Sequence, residues 1–279
     1  MKIGVVIPCI NLWQKYTQPA LESIKSKHEL YFVLVDNGSD DITKVEATKR
    51  ISDNFHYKRN DMNWGVAKSW NYGALDCFMN HGCDYVFIIN NDVVFHPEAL
   101  DRLVDDFNKQ PPEIVMMTAI NVKEDCGGNP TVLSQLDIKK YEVLERPESP
   151  DFSAFMINKR FWEEVGEFDE GFGQAYFEDN DAHRRIRLAG LNALKCPSAL
   201  YYHYGSRTRM EARASEMIVS HESFKHSREY FVAKWGGPPE PDGRLGARLW
   251  EHPFNDENNN WAYTKQLAES QADLSTPVS

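Results

Sequence analysis

The sequence predicts an α/β fold: a mainly parallel, twisted sheet flanked by helices, followed by a C-terminal helical extension. Two observations carry this expectation. Short apolar runs alternate with longer segments of helical pattern through the first half, which is the order of a strand, a crossover helix and a returning parallel strand. Apolar residues form 42% and aromatics 12% of the 279-residue chain, enough to fill a sizeable core. In sheets of this kind ligands gather at the carboxyl ends of the strands. The polar residues that follow each apolar run are therefore the first candidates for chemistry.

Taken in order, "MKIGVVIPCINLW" holds a first strand from Ile3 to Ile7. With its single Lys and interrupting Pro, the stretch reads as a strand and not as a secretory signal. A helix is expected over 15–27, a strand from Tyr31 to Val35, a helix over 40–51 and a strand over 55–59. A helix over 65–80 leads into "YVFIINNDVVF", whose apolar start reads as a strand over 85–90. Pro97 suits the opening turn of a helix that runs to about Asn108, since no N–H is needed there. A strand from Ile114 to Ile120 follows, and "EDCGGNP" and "RPESP" mark the stretch 121–150 as loop. Next come a strand from Phe152 to Ile157, a helix from Asn158 to Val165 and an acidic, Gly-rich loop leading into a helix that ends near Gly190. A strand-like run reaches His203, a helix is expected over 209–234, and "KWGGPP" stops it.

Bulk properties narrow the function classes. No apolar run approaches the roughly 18 residues that span a bilayer, so a soluble protein without a transmembrane anchor is expected. Five cysteines (Cys9, Cys77, Cys83, Cys126, Cys196) form an odd set without zinc-finger spacing, which fits a reducing cytoplasm. The net charge of −11 argues against general electrostatic coating of nucleic acid. Between Ala182 and Arg213, however, Arg184, Arg185, Arg187, Lys195, Arg207, Arg209 and Arg213 face the single acid Glu211. That segment either meets phosphates or is the solvated side of a helix. Phosphate-loop, dinucleotide-binding and nucleophile-elbow motifs are all missing.

Five stretches carry candidate chemistry. In "VDNGSD", Asp36, Asn37 and Ser39 end the second strand, where an acid accepts hydrogen bonds from a ribose or base, or else serves turn chemistry. "NWGVAKSWNYG" offers Asn63, Gly65, Lys68 and Asn71, with Asn63 as a helix cap and Gly73 as a packing residue the competing roles. Asn90, Asn91 and Asp92 emerge at a strand end, where a hard cation bridged to a diphosphate wants oxygen ligands; the plain alternative is a turn. Glu178, Asp179 and Asp181 crowd a helix N-terminus, where capping is the alternative to a general base. His203 is either structural or completes a metal shell with Asp92.

The order "VVIPCIN", "VDNGSDD", "NWGVAKSWNYG", "IINNDVVFHPEAL", "FSAFMINKRFWEEVGEFDEGFG", "YFEDNDAHRRIRLAG" and "YYHYGS" resembles the successive blocks of family-2 glycosyltransferases with the GT-A fold, over residues 1 to 208. The resemblance implies inverting transfer from a nucleotide-diphospho-sugar, UDP-hexose first, with Mn2+ or Mg2+. It implies that Pro8, Cys9, Asn11, Asp36, Asn37 and Ser39 line the nucleotide pocket and that Asn63, Gly65, Lys68 and Asn71 close over base and ribose. Asn90, Asn91 and Asp92 match the D-x-D segment, with Asn90 replacing its first Asp as in rhamnosyltransferase-like members, and Asp92 and His203 as metal ligands. Glu178 and Asp179 match the Glu-Asp motif, with Asp179 as base, and Arg207 would assist the departing diphosphate. The implied layout is a glycosyltransferase domain over 1–208, with a nucleotide-sugar half (1–120) and an acceptor half (121–208), then a helical extension and polar tail over 209–279. The tail "KWGGPPEPDGRL" resembles those of small phage-encoded members, so the expected location is the cytoplasm of a bacterium or of a phage-infected host. Two acceptors are carried: a hydroxyl of a glycan or small saccharide, and a hydroxymethylated pyrimidine in phage DNA. A nucleotide-sugar-binding module without turnover and a nucleotidyltransferase are the readings from other classes.

Overall fold

A computed structural model describes residues 1–39, 42–142, 152–205, 211 and 221–236. Its centre is one eight-stranded sheet in the order β3-β2-β1-β4-β7-β6-β8-β5. The strands are β1 (Lys2–Cys9), β2 (Glu29–Asp36), β3 (Phe55–Arg59), β4 (Tyr85–Ile89), β5 (Val93–Phe95), β6 (Ile114–Asn121), β7 (Ala154–Asn158) and β8 (Asn192–His203). The helices are α1 (Gln18–Ser23), α2 (Thr43–Thr48), α3 (Val66–Leu75), α4 (Ala99–Phe107), α5 (Lys139–Glu142), α6 (Lys159–Glu164), α7 (Glu178–Leu188) and α8 (His221–Trp235).

The sheet is mixed. β1–β2, β2–β3, β1–β4 and β6–β8 are parallel, whereas β7 runs antiparallel to both β4 and β6, and β5 antiparallel to β8. The expected parallel character thus belongs to the first half, whose strands read as continuous apolar runs because both of their faces are covered. Val5, Val6, Ile7, Val33, Leu34, Val35, Ile88 and Ile89 have no exposed surface.

Several local expectations need correction. The expected helix over 15–27 is a π-helical turn (Trp13–Thr17) continued by α1, which ends at Ser23. β5 was not expected: its three residues lie between Asp92 and Pro97 and become a strand only by pairing with β8. The loop 121–150 contains a 3-10 helix at Pro130–Gln135 and the short α5. Helix α2 forms, yet its apolar residues Ile42 and Val45, and Ile51 just beyond it, are 43–56% exposed, and Thr43 and Ala47 form its buried side instead. The helix expected over 209–234 is described from His221 onward.

The topology brings the carboxyl ends of β1, β2, β3, β4, β6 and β8 to one edge. Cys9 pairs with Asp36, Asp36 with Arg59, and Asn121 with Tyr201. β8 reaches this edge through an irregularity: Thr118 faces Lys195 but Ile120 faces Leu200, so Cys196–Ala199 bulge out of register. Helix α3 packs so closely on β1 that a Cβ on Gly73 would lie 2.3 and 2.7 Å from the two methyls of Val6. The packing role for Gly73 is therefore what the structure shows. Gly73→Ala is expected to cost about 1–3 kcal/mol through overpacking, read as a lower urea midpoint at unchanged slope.

Candidate active site

The first wall of the site is built where β1 and β2 end. Asn11 and Leu12 take left-handed backbone angles (φ 52 and 58), turning the chain sharply after Cys9. The Asn11 N–H donates to the Ser39 hydroxyl at 2.8 Å, joining the loops that follow the two strands. Asp36 is fully buried: one carboxylate oxygen accepts from the Ser39 N–H (2.8 Å) and the other from the Tyr57 hydroxyl (2.5 Å). Burial, and then that hydrogen bond to Asp36, raise the Tyr57 pKa, keeping the phenol protonated as a donor. Asp36 therefore performs turn chemistry as well as any ligand contact. Pro8 and Cys9 are buried beneath, and the Cys9 carbonyl accepts from the Asn37 N–H at 2.9 Å.

Three predicted donor-binding residues are committed elsewhere. Asn37 points into the protein: its carbonyl oxygen accepts from Asn60 Nδ2 and the Trp64 N–H, each at 3.2 Å, and its amide donates to Ser69 at 3.1 Å. Asn71 brackets Phe168, accepting from its N–H and donating to its carbonyl, both at 2.8 Å, and it donates again to Glu170 at 3.1 Å. Both amide hydrogens are thereby used, which leaves no donor for a nucleotide. Gly65 (φ 79) is required by packing, since a Cβ would meet the Gly173 carbonyl at 2.3 Å, and the neighbouring Val66 N–H donates to the Gln174 carbonyl at 3.0 Å. Asn63 accepts from the Gly65 N–H (2.9 Å), and exposed Lys68 sits 4.7 Å over the Trp64 ring.

At the end of β4, Asn90 is half-buried and Asn91 turns inward to Thr17 (3.1 Å). Asp92 is only 4% exposed, and its carboxylate lies 3.1 Å from His203 Nε2. The register explains the meeting: Val93 pairs with His203, and the Asp92 carbonyl accepts from the Tyr204 N–H. Asn121 at the end of β6 accepts from the His203 N–H (3.2 Å) and so fixes the backbone of the histidine. Asn121 was not singled out from the sequence, although the rule that selected Asp36 and Asp92, a polar residue closing an apolar run, selects it too.

Helix α7 carries the acidic candidates Glu178, Asp179 and Asp181 in its first turn. Asp179 is half-buried and its carboxylate accepts from the Asn180 N–H (2.8 Å). Glu178 is 6% exposed, with Oε2 lacking a hydrogen-bond partner among the described residues. Burial, and then the charge of Asp179, push its pKa well above the usual carboxylate range. Burial therefore favours the neutral carboxyl form of Glu178. Asp181 belongs to the interior: it is fully buried and bound by Arg185 (2.8 Å), Lys234 (2.6 Å) and Trp235 (2.9 Å). The loop before α7 is joined to the start of α3, where the Val66 N–H meets the Gln174 carbonyl and Gly65 packs against Gly173. Arg207 lies outside the described residues.

A mixed sheet with polar residues at its carboxyl edge and helices on its faces has the architecture of the GT-A glycosyltransferases. The model of "Glycosyl transferase family 2" matches residues 4–165, and the chain belongs to that family; it is a glycosyltransferase. The chain is 24% identical to the N-acetylglucosaminyl-diphospho-decaprenol L-rhamnosyltransferase of Mycobacterium tuberculosis, over 72% of this chain and 75% of the relative. Among solved structures it is similar to a mannosyltransferase of Pyrobaculum calidifontis in complex with GDP-Man and Mn2+ (TM-score 0.57, 17% identity, covering 98% of this chain and 75% of the other). It is also similar to GalNAc-T7 with UDP, GalNAc and Mn2+ (0.60, 15%, 97% and 54%) and to S. aureus TarS 1-349 with UDP (0.53, 16%, 84% and 64%). The chain spans less than two thirds of the length of these last two.

Proposed function

We propose that this glycosyltransferase moves a sugar, with inversion, from a nucleotide-diphospho-sugar (a UDP-hexose first) to a hydroxyl of a glycan or small saccharide. The observation that supports it best is the meeting of Asp92 and His203, 111 residues apart in sequence, at 3.1 Å on the carboxyl edge of the sheet. Among the described residues no group of three or more His, Cys, Asp or Glu is able to hold a metal ion. Two ligands suit a cation that completes its shell with diphosphate oxygens and water, and Asp92 and His203 would hold it. When bound, Mn2+ or Mg2+ stabilises the charge that develops on the departing diphosphate.

The chain's own residues carry the remaining steps. Asp179 takes the proton of the acceptor hydroxyl as that oxygen bonds to the anomeric carbon, opposite the breaking sugar–phosphate bond. The diphosphate leaves with the bonding electron pair, and attack from the opposite face inverts the anomeric configuration. Burial raises the Glu178 pKa and so favours its neutral form beside Asp179. Residues 1–120 serve the donor and 121–208 the acceptor in this scheme.

The names of the similar proteins support a nucleotide-sugar donor (UDP, GDP-Man), Mn2+ and a saccharide acceptor. The groove of positive charge that would favour DNA loses support. Arg185 is held in a buried pair with Asp181, Arg184 stacks 4.6 Å from the Trp235 ring, and Glu211 pairs with Lys15 and Tyr16. Arg207, Arg209 and Arg213 lie outside the described residues. A cytoplasmic location is proposed from the five cysteines, all buried and none in a disulfide. No described helix is long and apolar enough to cross a membrane.

Incubation with Mn2+, a panel of UDP-, GDP- and dTDP-sugars and simple saccharide acceptors tests the reading. Release of the nucleoside diphosphate together with a glycosylated acceptor is expected. Pyrophosphate release would identify a nucleotidyltransferase, and binding without turnover a carrier module.

A further inference from the structure

We propose that Lys234, in the C-terminal helix α8, is a positioning residue for the general base; the inference rests on the assignment of Asp179. Its ammonium lies 2.6 Å from Asp169 Oδ2 and 2.6 Å from Asp181 Oδ1. Those two acids stand on either side of the segment that ends in Glu178 and Asp179, one before it and one after, so a single cation staples both of its ends. All three side chains are largely withdrawn from water: Asp181 is fully buried, and Lys234 and Asp169 are 18% and 21% exposed.

The segment between the acids needs such a restraint. Tyr176 and Phe177 hold consecutive left-handed angles (φ 80 and 72), a conformation that side chains with a Cβ rarely adopt and that persists only when surroundings impose it. Helix α8 imposes it at several points. The Ser227 hydroxyl lies 2.6 and 3.0 Å from the carbonyls of Phe172 and Ala175, the Tyr230 hydroxyl donates to Asp169 at 3.1 Å, and the Trp235 N–H donates to Asp181 at 2.9 Å. Phe172, Phe177, Phe231 and Trp235 form a separate apolar cluster beneath these contacts.

The full chain is assayed with its donor and Mn2+ as Lys234→Met, Lys234→Arg, Asp169→Asn and Phe231→Leu, each at a temperature where circular dichroism shows it folded. Phe231→Leu serves as the control for a weakened helix that keeps the staple. Lys234→Met is expected to lose about 100-fold in kcat, as displacement of a reacting group by about 1 Å does, with the donor KM within about twofold. Lys234→Arg should recover most of that loss, and Phe231→Leu should lower Tm while keeping kcat within about threefold. A Lys234→Met variant that loses no more kcat than Phe231→Leu, or that loses only donor KM, overturns the proposal. Should Lys234→Met fail to fold, Asp169→Asn decides in the same terms. Asp179→Asn separates the two readings: transfer surviving it overturns the base assignment, whereas transfer lost in it but kept in Lys234→Met overturns the staple alone.

Discussion

Asp179→Asn is expected to lower kcat by about 10²- to 10⁴-fold, the usual contribution of a positioned general base, while the dissociation constant of the donor stays within about twofold. The amide nearly matches the carboxylate in size and still accepts the Asn180 N–H bond seen at 2.8 Å, so the start of α7 keeps its shape. What disappears is the capacity to take a proton. Nucleoside diphosphate release in the presence of acceptor reports the loss, and calorimetric titration with the nucleoside diphosphate reports retained binding. The acid limb of the wild-type pH–rate profile reports the ionisation of the base, and it should vanish with the residue. Substantial residual transfer would show that another group removes the proton.

The second large effect is expected from Asp92→Asn. Asp92 sits 4% exposed against His203, and a neutral amide there removes the one charged ligand of the pair. Replacing a carboxylate beside a divalent cation should weaken metal affinity on the order of 100-fold, so activity at fixed low Mn2+ collapses and returns in part when Mn2+ is raised. His203→Ala should act in the same direction but less, because it removes a neutral ligand. Chelation with EDTA should stop the wild-type enzyme reversibly. Activity indifferent to EDTA would exclude the metal role of this pair.

Much of the fold was legible because its signals are local. The apolar runs of β1, β2 and β4 identify strands buried on both faces, and the same periodicity located α3 and α4. Candidate site residues were legible where a polar residue ends an apolar run: Asp36 and Asp92 were singled out this way, and Asn121 fits the same rule. What escaped depends on tertiary pairing. β5 is too short to announce itself and exists through its register with β8. Asn37, Gly65 and Asn71 look like ligands of a nucleotide in sequence, yet the two amides are engaged with residues far off in the chain and Gly65 is fixed by its packing on Gly173. Asp181 looks like one of three equivalent acids, and only the arrival of Lys234 and Trp235 marks it as interior.

The bulge in β8 bears on how this enzyme tolerates change. Side chains of a strand alternate between faces, so an odd-numbered insertion or deletion between Asn192 and His203 that the bulge failed to absorb would swing the imidazole away and present a tyrosine to Asp92. A two-residue change would keep the face but bring Tyr201 or Gly205, in place of His203, to that position. Cys196–Ala199 therefore act as a length buffer, letting one part of the molecule vary in extent while the pairing that delivers His203 stays in step.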